Sequence, residues 1–435
     1  MRHWKTFSTS FATLCARLST TAGNLVVLGV ASRRMTHDQF GLLSILLSLN
    51  LLTNGLDLGF RLTLGNRLAA LGSRGAEAEQ ERRETFLSIL FLEAAIAATY
   101  ILLILFVIPV IPWAHWFKIT DPLLTAQVRG LMPIVLPLML GTLPVALMWT
   151  VFFAYHEIKL ASFLTGLCTI VQTGVFVFAA FRFKFTWVIV IYFACTVVLG
   201  IVLTAYVFIR RNWSFALLPP ARIFAIVRSL ARVSFHSFFL TITAIISQIL
   251  GPVVSGLMNG LGPAGDFTLI MKVFSFLGTS HLALMAPVSP AVSLEAHSGN
   301  WDGVRRRLRI WVFQVWPAVF LLGGGLVWCA HPVLIRLWAG HWLREYPLAS
   351  LLLVWACLTG FVNTFSVFLN SLGLLKMQAA VSVAMLLPSL FLSAYLSHLF
   401  GNPGIALSLV LCLLPGAIIW PIYTRRALRL HLLRV

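Results

Sequence analysis

Ionisable residues inside long apolar stretches are the part of this chain that can do chemistry: Arg17, Asp57, Arg61, Glu93, His236, Asp266 and Lys272. A charge near the centre of a bilayer costs roughly 2.5–3.5 kcal/mol on insertion scales, so it faces a cavity or a partner. At a rise of about 1.5 Å per residue, Arg17, Asp57, Arg61 and Glu93 each lie about 5–14 Å inside the same end of the first three apolar segments. His236 sits at a comparable depth in the seventh, and Lys272 lies about 12 Å from the opposite end of the eighth by the same rise. Guanidinium forks match phosphate oxygens, and an ammonium group is a compact point charge. Arg17, Arg61, Lys272 and His236 are therefore expected to meet an anionic group. Asp57, Glu93 and Asp266 are expected to act as counter-charges or to couple transport to an ion. The competing reading is local: Asp57 and Arg61 are spaced i,i+4 and would pair on one helical face, and Arg17 would snorkel. Gln248, Asn259, Asn363 and Asn370 would either contact sugar hydroxyls or join helices to one another.

No spacing points to catalysis or to a cofactor. The six cysteines fall inside apolar segments without Cys-x-x-Cys or Cys/His ligand spacing, so neither a disulfide framework nor a metal site is expected. Gly323-Gly324-Gly325 lacks the Lys-Ser/Thr ending of a phosphate loop and reads as close helix packing. An Asp-x-Asp metal motif is absent and the outer loops are short, which disfavours a membrane polysaccharide polymerase, ligase or glycosyltransferase.

The elements that must hold these residues are membrane helices. Hydrophobic residues make up 59% of the 435, charged residues 10%, and the mean hydropathy is +0.93. Soluble domains carry about 25% charged residues. A crossing needs about 20 apolar residues, and twelve segments qualify, near 11–31, 40–64, 85–111, 128–154, 159–182, 186–209, 231–258, 264–292, 308–332, 347–370, 375–398 and 403–424. The net charge of +19 concentrates on alternate loops, through Arg67, Arg82, Arg83, Arg210, Arg211, Arg222, Arg228, Arg305, Arg306, Arg307, Arg425 and Arg426. Such loops face the cytoplasm, which places both termini inside and makes the bilayer, not nucleic acid, the partner. Trp113, Trp116, Trp213, Trp301 and Trp338 fall near segment ends, where indole rings favour the headgroup layer.

The polar stretch from Arg210 to Arg232 divides six crossings from six, giving an N-terminal bundle over 1–210, a cytoplasmic linker over 211–232 and a C-terminal bundle over 233–435. Asp38-Gln39-Phe40-Gly41-Leu42 is echoed by Gly265-Asp266-Phe267-Thr268-Leu269, and Gly75 with Arg82-Arg83 by Gly299 with Arg306-Arg307. Two echoes in one order suggest parallel repeats around a central cleft. Pro109, Pro133, Pro137, Pro144, Pro252, Pro287 and Pro290 would kink or break helices.

Several runs resemble those of polysaccharide flippases in the multidrug/oligosaccharidyl-lipid/polysaccharide exporter superfamily. They are Phe40-Gly41-Leu42-Leu43-Ser44 leading to Leu56-Asp57-Leu58-Gly59-Phe60, the loop Asn66 to Arg83, and Leu250-Gly251-Pro252 followed by Gly262-Pro263-Ala264-Gly265-Asp266-Phe267. Most specific is Pro287-Val288-Ser289-Pro290-Ala291, then Glu295-Ala296, Gly299-Asn300-Trp301 and Val304-Arg305-Arg306, with Asn300 in place of the family's acid. Ile335-Arg336-Leu337-Trp338-Ala339-Gly340 and Asn370-Ser371-Leu372-Gly373 fit as well. The resemblance implies an all-α integral membrane fold of two six-helix bundles around a cationic cavity. It also implies that a polyprenyl-pyrophosphate-linked oligosaccharide crosses from the cytoplasmic to the periplasmic leaflet of a bacterial inner membrane, without covalent chemistry, in partnership with polymerase or export machinery. An ion-coupled multidrug exporter of the same superfamily is the alternative. Residues 11–31 hold Arg17 and no acid, whereas that branch typically couples through an acid in its first helix.

Overall fold

The computed structural model describes residues 2–53, 55–71, 78–215, 217–285, 288–340, 343, 345–372, 374 and 376–432, and among them the chain is entirely helical and turn. Arg74, Gly75, Pro287 and Gly373 lie outside the described residues, as do the side chains of Arg17, His236, Gln248, Ser289 and Pro290. The helices of the first half are α1 (Arg2–Arg34), α2 (His37–Thr53), α3 (Phe60–Leu71), α4 (Ala78–Val107), α5 (Trp113–Trp116), α6 (Pro122–Val145), α7 (Met148–Ala154), α8 (Ile158–Arg182) and α9 (Phe185–Arg210). Those that follow are α10 (Pro220–Asn259), α11 (Leu261–Met285), α12 (Val288–His297), α13 (Trp301–Ile310), α14 (Gly323–Ala339), α15 (Tyr346–Ser371), α16 (Lys376–Phe400) and α17 (Asn402–Leu432). Among the described residues nine helices are long and apolar enough to cross a membrane. The other three expected crossings fall on α1, on α2 with α3, and on α10.

Local chemistry explains where helices depart from the expected segments. The second segment is not one helix: the chain turns between α2 and α3, with Leu58 at φ +51° and Gly59 at φ +78°. Asp57 enforces this turn by accepting the backbone N–H of Gly59, two residues on, at 3.0 Å. Glycine takes the left-handed conformation without a Cβ penalty. Proline is pre-organised for a first helical turn, and Pro220 opens α10, which runs 40 residues and takes in 220–232. Within the eighth segment α11 is described to Met285 and α12 from Val288. Between α13 and α14 the chain stays helical but widens into two π-helical turns, Trp311–Val315 and Ala318–Leu322, on either side of Trp316 and Pro317.

The chain forms two compact units. One comprises Leu18–Gln39 and Ile45–Ile249. Its main core joins Phe60, Leu64, Phe86, Ile89, Leu147, Val151, Phe152 and Trp213, and a second apolar cluster joins Ala97, Leu140 and Leu143 with Leu56, Tyr100, Ile101 and Ile104.

The other unit comprises Met1–Arg17, Phe40–Ser44 and Leu250–Val435. Here the two echoed sequence motifs touch: a methyl on Gly41 would overlap the Leu261 carbonyl, and one on Gly265 would meet the Phe40 ring at 2.7 Å. Asn259 and Ser255 on α10 bond Asn402 at 3.0 and 2.6 Å, Asn259 also reaches Ser397 at 3.2 Å, and Asn402 donates to the Pro263 carbonyl at 2.8 Å. Asn259 is thus a joint between helices, the second of the two roles its sequence position allowed. Of the three consecutive glycines only Gly324 makes a tight contact, against Leu353, while Gly325 borders open space.

Candidate functional site

Asp57, Arg61 and Glu93 come together inside the first unit. Asp57 does not share a helical face with Arg61, as their spacing suggested; it stands in the turn and caps α3. Its carboxylate accepts the N–H of Gly59 at 3.0 Å and that of Arg61 at 3.3 Å, and lies 3.8 Å from the Arg61 guanidinium. The carboxylate is buried and Arg61 half-buried, with 24% of its side chain exposed. Glu93 on α4 is within electrostatic reach of both. It is completely buried, and neither carboxylate oxygen has a hydrogen-bond partner among the described residues. Ile89, one turn before it, belongs to the main core, and Ala97, one turn after, to the second apolar cluster. The i,i+4 spacing places all three on one face of α4, so the acid is sealed by hydrocarbon on both sides along its helix.

Lys272 belongs to the second unit. It lies on α11, about 16 Å from Leu261 at 1.5 Å per residue, and among the described residues it has no ion-pair or hydrogen-bond partner. Met271, Val273, Phe274 and Leu277 bury the remainder of the helix. Lys272, Ser275, Phe276 and Thr279 follow the i,i+3/i+4 rule along the face that the unit leaves partly uncovered. Ser275 and Thr279 donate their hydroxyls to the Met271 and Ser275 carbonyls, at 2.6 and 3.1 Å. The stripe carries one cation and two hydroxyls beside the exposed Phe276 ring. Asp266, near the start of the same helix, lies within electrostatic reach of Glu345, which precedes α15. Burial, and then the charge of Asp266, push the Glu345 carboxyl above its ordinary range. Asn370 is occupied in accepting Gln378 at 2.9 Å. Arg17 and His236 fall among the side chains outside the described residues.

Sequence reasoning missed two clusters. Glu79 accepts the Tyr155 hydroxyl, the Trp213 indole N–H at 2.9 Å and an Arg82 N–H at 3.3 Å. Guanidinium groups of Arg82 and Arg211 lie 4.3 and 3.7 Å from the Tyr155 ring centre, and Glu157 bridges Arg210 and Arg211 at 3.0 and 2.6 Å. Burial and the Glu79 carboxylate push the Tyr155 phenol up, keeping it a donor. Trp213, expected at the headgroup layer, is buried instead. This network clamps one end of the first unit. The second cluster surrounds His281 on α11, buried between Trp311 and Phe320, one from each π turn, with Thr364 Oγ1 3.3 Å from its Nε2. Lone histidines in apolar runs gave no signal of it.

No family model matches the sequence, and no curated protein matches it. Solved structures match its backbone. An inward-facing multidrug-resistance MATE-family transporter of the MOP superfamily aligns at a TM-score of 0.77 and 12% identity, over 97% of this chain and 98% of that one. The chain has the MOP-superfamily transporter fold. A MOP-superfamily transporter from Pyrococcus furiosus, whose binding pocket is described as reversed in polarity, aligns at 0.65 and 13% identity over 97% and 95%. A eukaryotic MATE transporter aligns at 0.63 and 13% identity over 100% and 99%. Identities this low carry the MOP fold and nothing of the cargo. Within that fold, the Asp57 turn, Glu93 and the Lys272 stripe are the chemistry this sequence supplies for itself.

Proposed function

We propose that this protein flips a polyprenyl-pyrophosphate-linked oligosaccharide from the cytoplasmic to the periplasmic leaflet by alternating access, in a bacterial inner membrane with both termini cytoplasmic. The observation that carries the reading is Lys272, a cation in mid-helix without a counter-charge among the described residues, on a polar stripe of α11. An intramembrane charge without a protein partner is costly unless a ligand of opposite sign visits it, and a pyrophosphate is such a ligand. The ordered flippase-like runs and the absence of any acid in residues 11–31 support the same cargo. Arg61, Arg17 and His236 are the further cations of the proposed path, and polymerase or export machinery would receive the flipped unit.

The second reading, an ion-coupled multidrug exporter, draws on the buried Asp57 and Glu93 carboxylates and on structural relatives described as multidrug transporters. One experiment separates the two. Purified protein in vesicles is offered a lipid-linked oligosaccharide or an organic cation, as wild type, Lys272→Ala and Lys272→Arg. The flippase reading expects glycan transfer, a loss of roughly tenfold or more in Lys272→Ala, in line with charge-assisted contacts of about 1.5–3 kcal/mol, and partial retention in Lys272→Arg. Transport of organic cations with no movement of the glycan would establish the second reading instead.

A further inference from the structure

We propose that the end of the second unit formed by α13 and the close of α17 is a docking surface for the headgroups of anionic phospholipids. The proposal goes beyond the transport reading and needs only the membrane-spanning fold. It begins from the echoed loop. In the register that sets Gly75 and Arg82 against Gly299 and Arg306, the acids Glu79, Glu81 and Glu84 of the first copy stand against Gly303, Arg305 and Leu308 of the second. The first unit uses its acids. Arg82 pairs with Glu79 at 3.3 Å, Arg67 with Glu81 at 2.7 Å and Arg222 with Glu84 at 3.0 Å, while Glu157 holds Arg210 and Arg211. The second copy lacks acids at those three positions.

Packing then concentrates the charge. Val304 on α13 and Leu428 on α17 belong to one core cluster, with Leu308 packed against it. This brings Arg305, Arg306 and Arg309 to the same end of the unit as Arg425, Arg426 and Arg429. All but Arg305 are exposed, and among the described residues none of the six has an ion-pair or hydrogen-bond partner. Arg307 is the exception on α13, held by Glu295 at 2.6 Å. Asp302 is the one acid that α13 and α17 carry between them.

Depth decides the partner. Arg305 to Arg309 and Arg425 to Arg429 each cover about 6 Å of helix, and a headgroup layer is about 5–8 Å deep, half the difference between a bilayer's full thickness and its hydrocarbon core. Exposed apolar side chains border that band: Ile310 and Phe313 follow Arg309, and Ile418 and Ile422 precede Arg425. The arginines thus stand where a lipid-facing helix surface gives way to loop, level with the phosphates. Guanidinium forks match phosphate oxygens, and clusters of about four to eight basic residues beside a membrane helix hold anionic headgroups. On the proposed topology this is the cytoplasmic leaflet.

Melting of the full chain in neutral-detergent micelles, titrated with phosphatidylglycerol or phosphatidylcholine, tests the surface without any cargo, so its outcome stands apart from the flippase reading. A ligand that binds only the folded chain raises its melting temperature. Wild type should be stabilised by phosphatidylglycerol and not by phosphatidylcholine, and the shift should shrink in about 1 M salt, where the screening length falls to about 3 Å. Each arginine near an anionic surface contributes about fivefold in affinity, so the triple variant Arg306→Gln, Arg309→Gln and Arg426→Gln should need at least about tenfold more phosphatidylglycerol for the same shift. Lysine at the same three positions should keep most of the response. Neutralising three exposed cations elsewhere, with Arg129→Gln, Arg182→Gln and Lys184→Gln, should leave it at the wild-type value. Equal shifts with both lipids would show no headgroup preference, an equal loss in the second triple would reduce the effect to net charge, and a full shift with inorganic phosphate at matched ionic strength would make this a free-anion site. Any of the three overturns the proposal.

Discussion

Replacing Asp57 separates a capping role from a charge role, because the structure assigns it both. Asp57→Ala removes the acceptor for the Gly59 and Arg61 N–H groups. Loss of an N-terminal cap costs about 0.5–2 kcal/mol. It also strips the counter-charge from Arg61; breaking a fully buried pair costs about 3–5 kcal/mol, and with 24% of the Arg61 side chain exposed only a fraction of that applies. A total of about 2–4 kcal/mol follows from these two contributions. Asp57→Asn keeps an oxygen for Gly59 but loses the charge and the acceptor for the Arg61 N–H, so a cost between half and the whole of the alanine value is expected. Unfolding of the full chain in mixed micelles, followed by tryptophan fluorescence, measures both variants and the Arg61→Ala double-mutant cycle. The cycle should show coupling of about 0.5–3 kcal/mol, the range for residues in contact. Equal costs for Asn and Ala, or an additive cycle, would refute the assignment of this carboxylate to the turn and to Arg61 together.

Glycine substitutions should divide by what the new methyl meets. Gly41→Ala gains up to about 1 kcal/mol of helix propensity but overlaps the Leu261 carbonyl, so a net loss of about 1–2 kcal/mol is expected from overpacking; Gly130→Ala and Gly174→Ala, with nothing nearby, should raise the melting temperature. Equal melting shifts at Gly41 and Gly130 would contradict the close approach of α2 and α11. The carboxyl of Glu345 stands above its ordinary value of 4.5 through burial and the charge of Asp266. Its contribution to stability is therefore complete below that value and is lost as pH rises through the folded-state pKa. Glu345→Gln should raise the melting temperature at mildly alkaline pH and leave it unchanged in acid, and because the Glu345 side chain makes no cap bond to α15, no cap is lost. A melting profile with wild-type pH dependence in that variant would count against the Asp266–Glu345 interaction.

Apolar run length made the membrane helices legible, because a bilayer demands length and hydropathy before anything else. The helices hidden from that criterion were those with a second demand on them. Leu56-Asp57-Leu58-Gly59 reads as part of a crossing by hydropathy, yet a side-chain acceptor two residues before a glycine ends the helix there. Glu93 was legible as an acid at membrane depth, but its isolation was not, since only packing tells whether a carboxylate meets a guanidinium or a methyl group. Lys272 was readable as a buried cation, and the structure adds the stripe of Ser275 and Thr279 on which it stands. Basic loop residues misled in one respect. Arg82, Arg210 and Arg211 read as solvated topology signals, whereas Glu79, Glu157 and Tyr155, distant in sequence, draw them into one network.

The two π turns between α13 and α14 each hold one residue more than an α-helix would. The wider winding absorbs that residue where it sits, so deleting one residue from a π turn would restore ordinary winding there and leave Gly324 against Leu353 and His331 among the rings of Phe274, Trp328 and Tyr346. Deleting one from the ordinary winding of α14 would instead rotate everything beyond it by about 100°. The stretch between α13 and α14 is thus where the chain can change its length by one residue without turning the helix that follows.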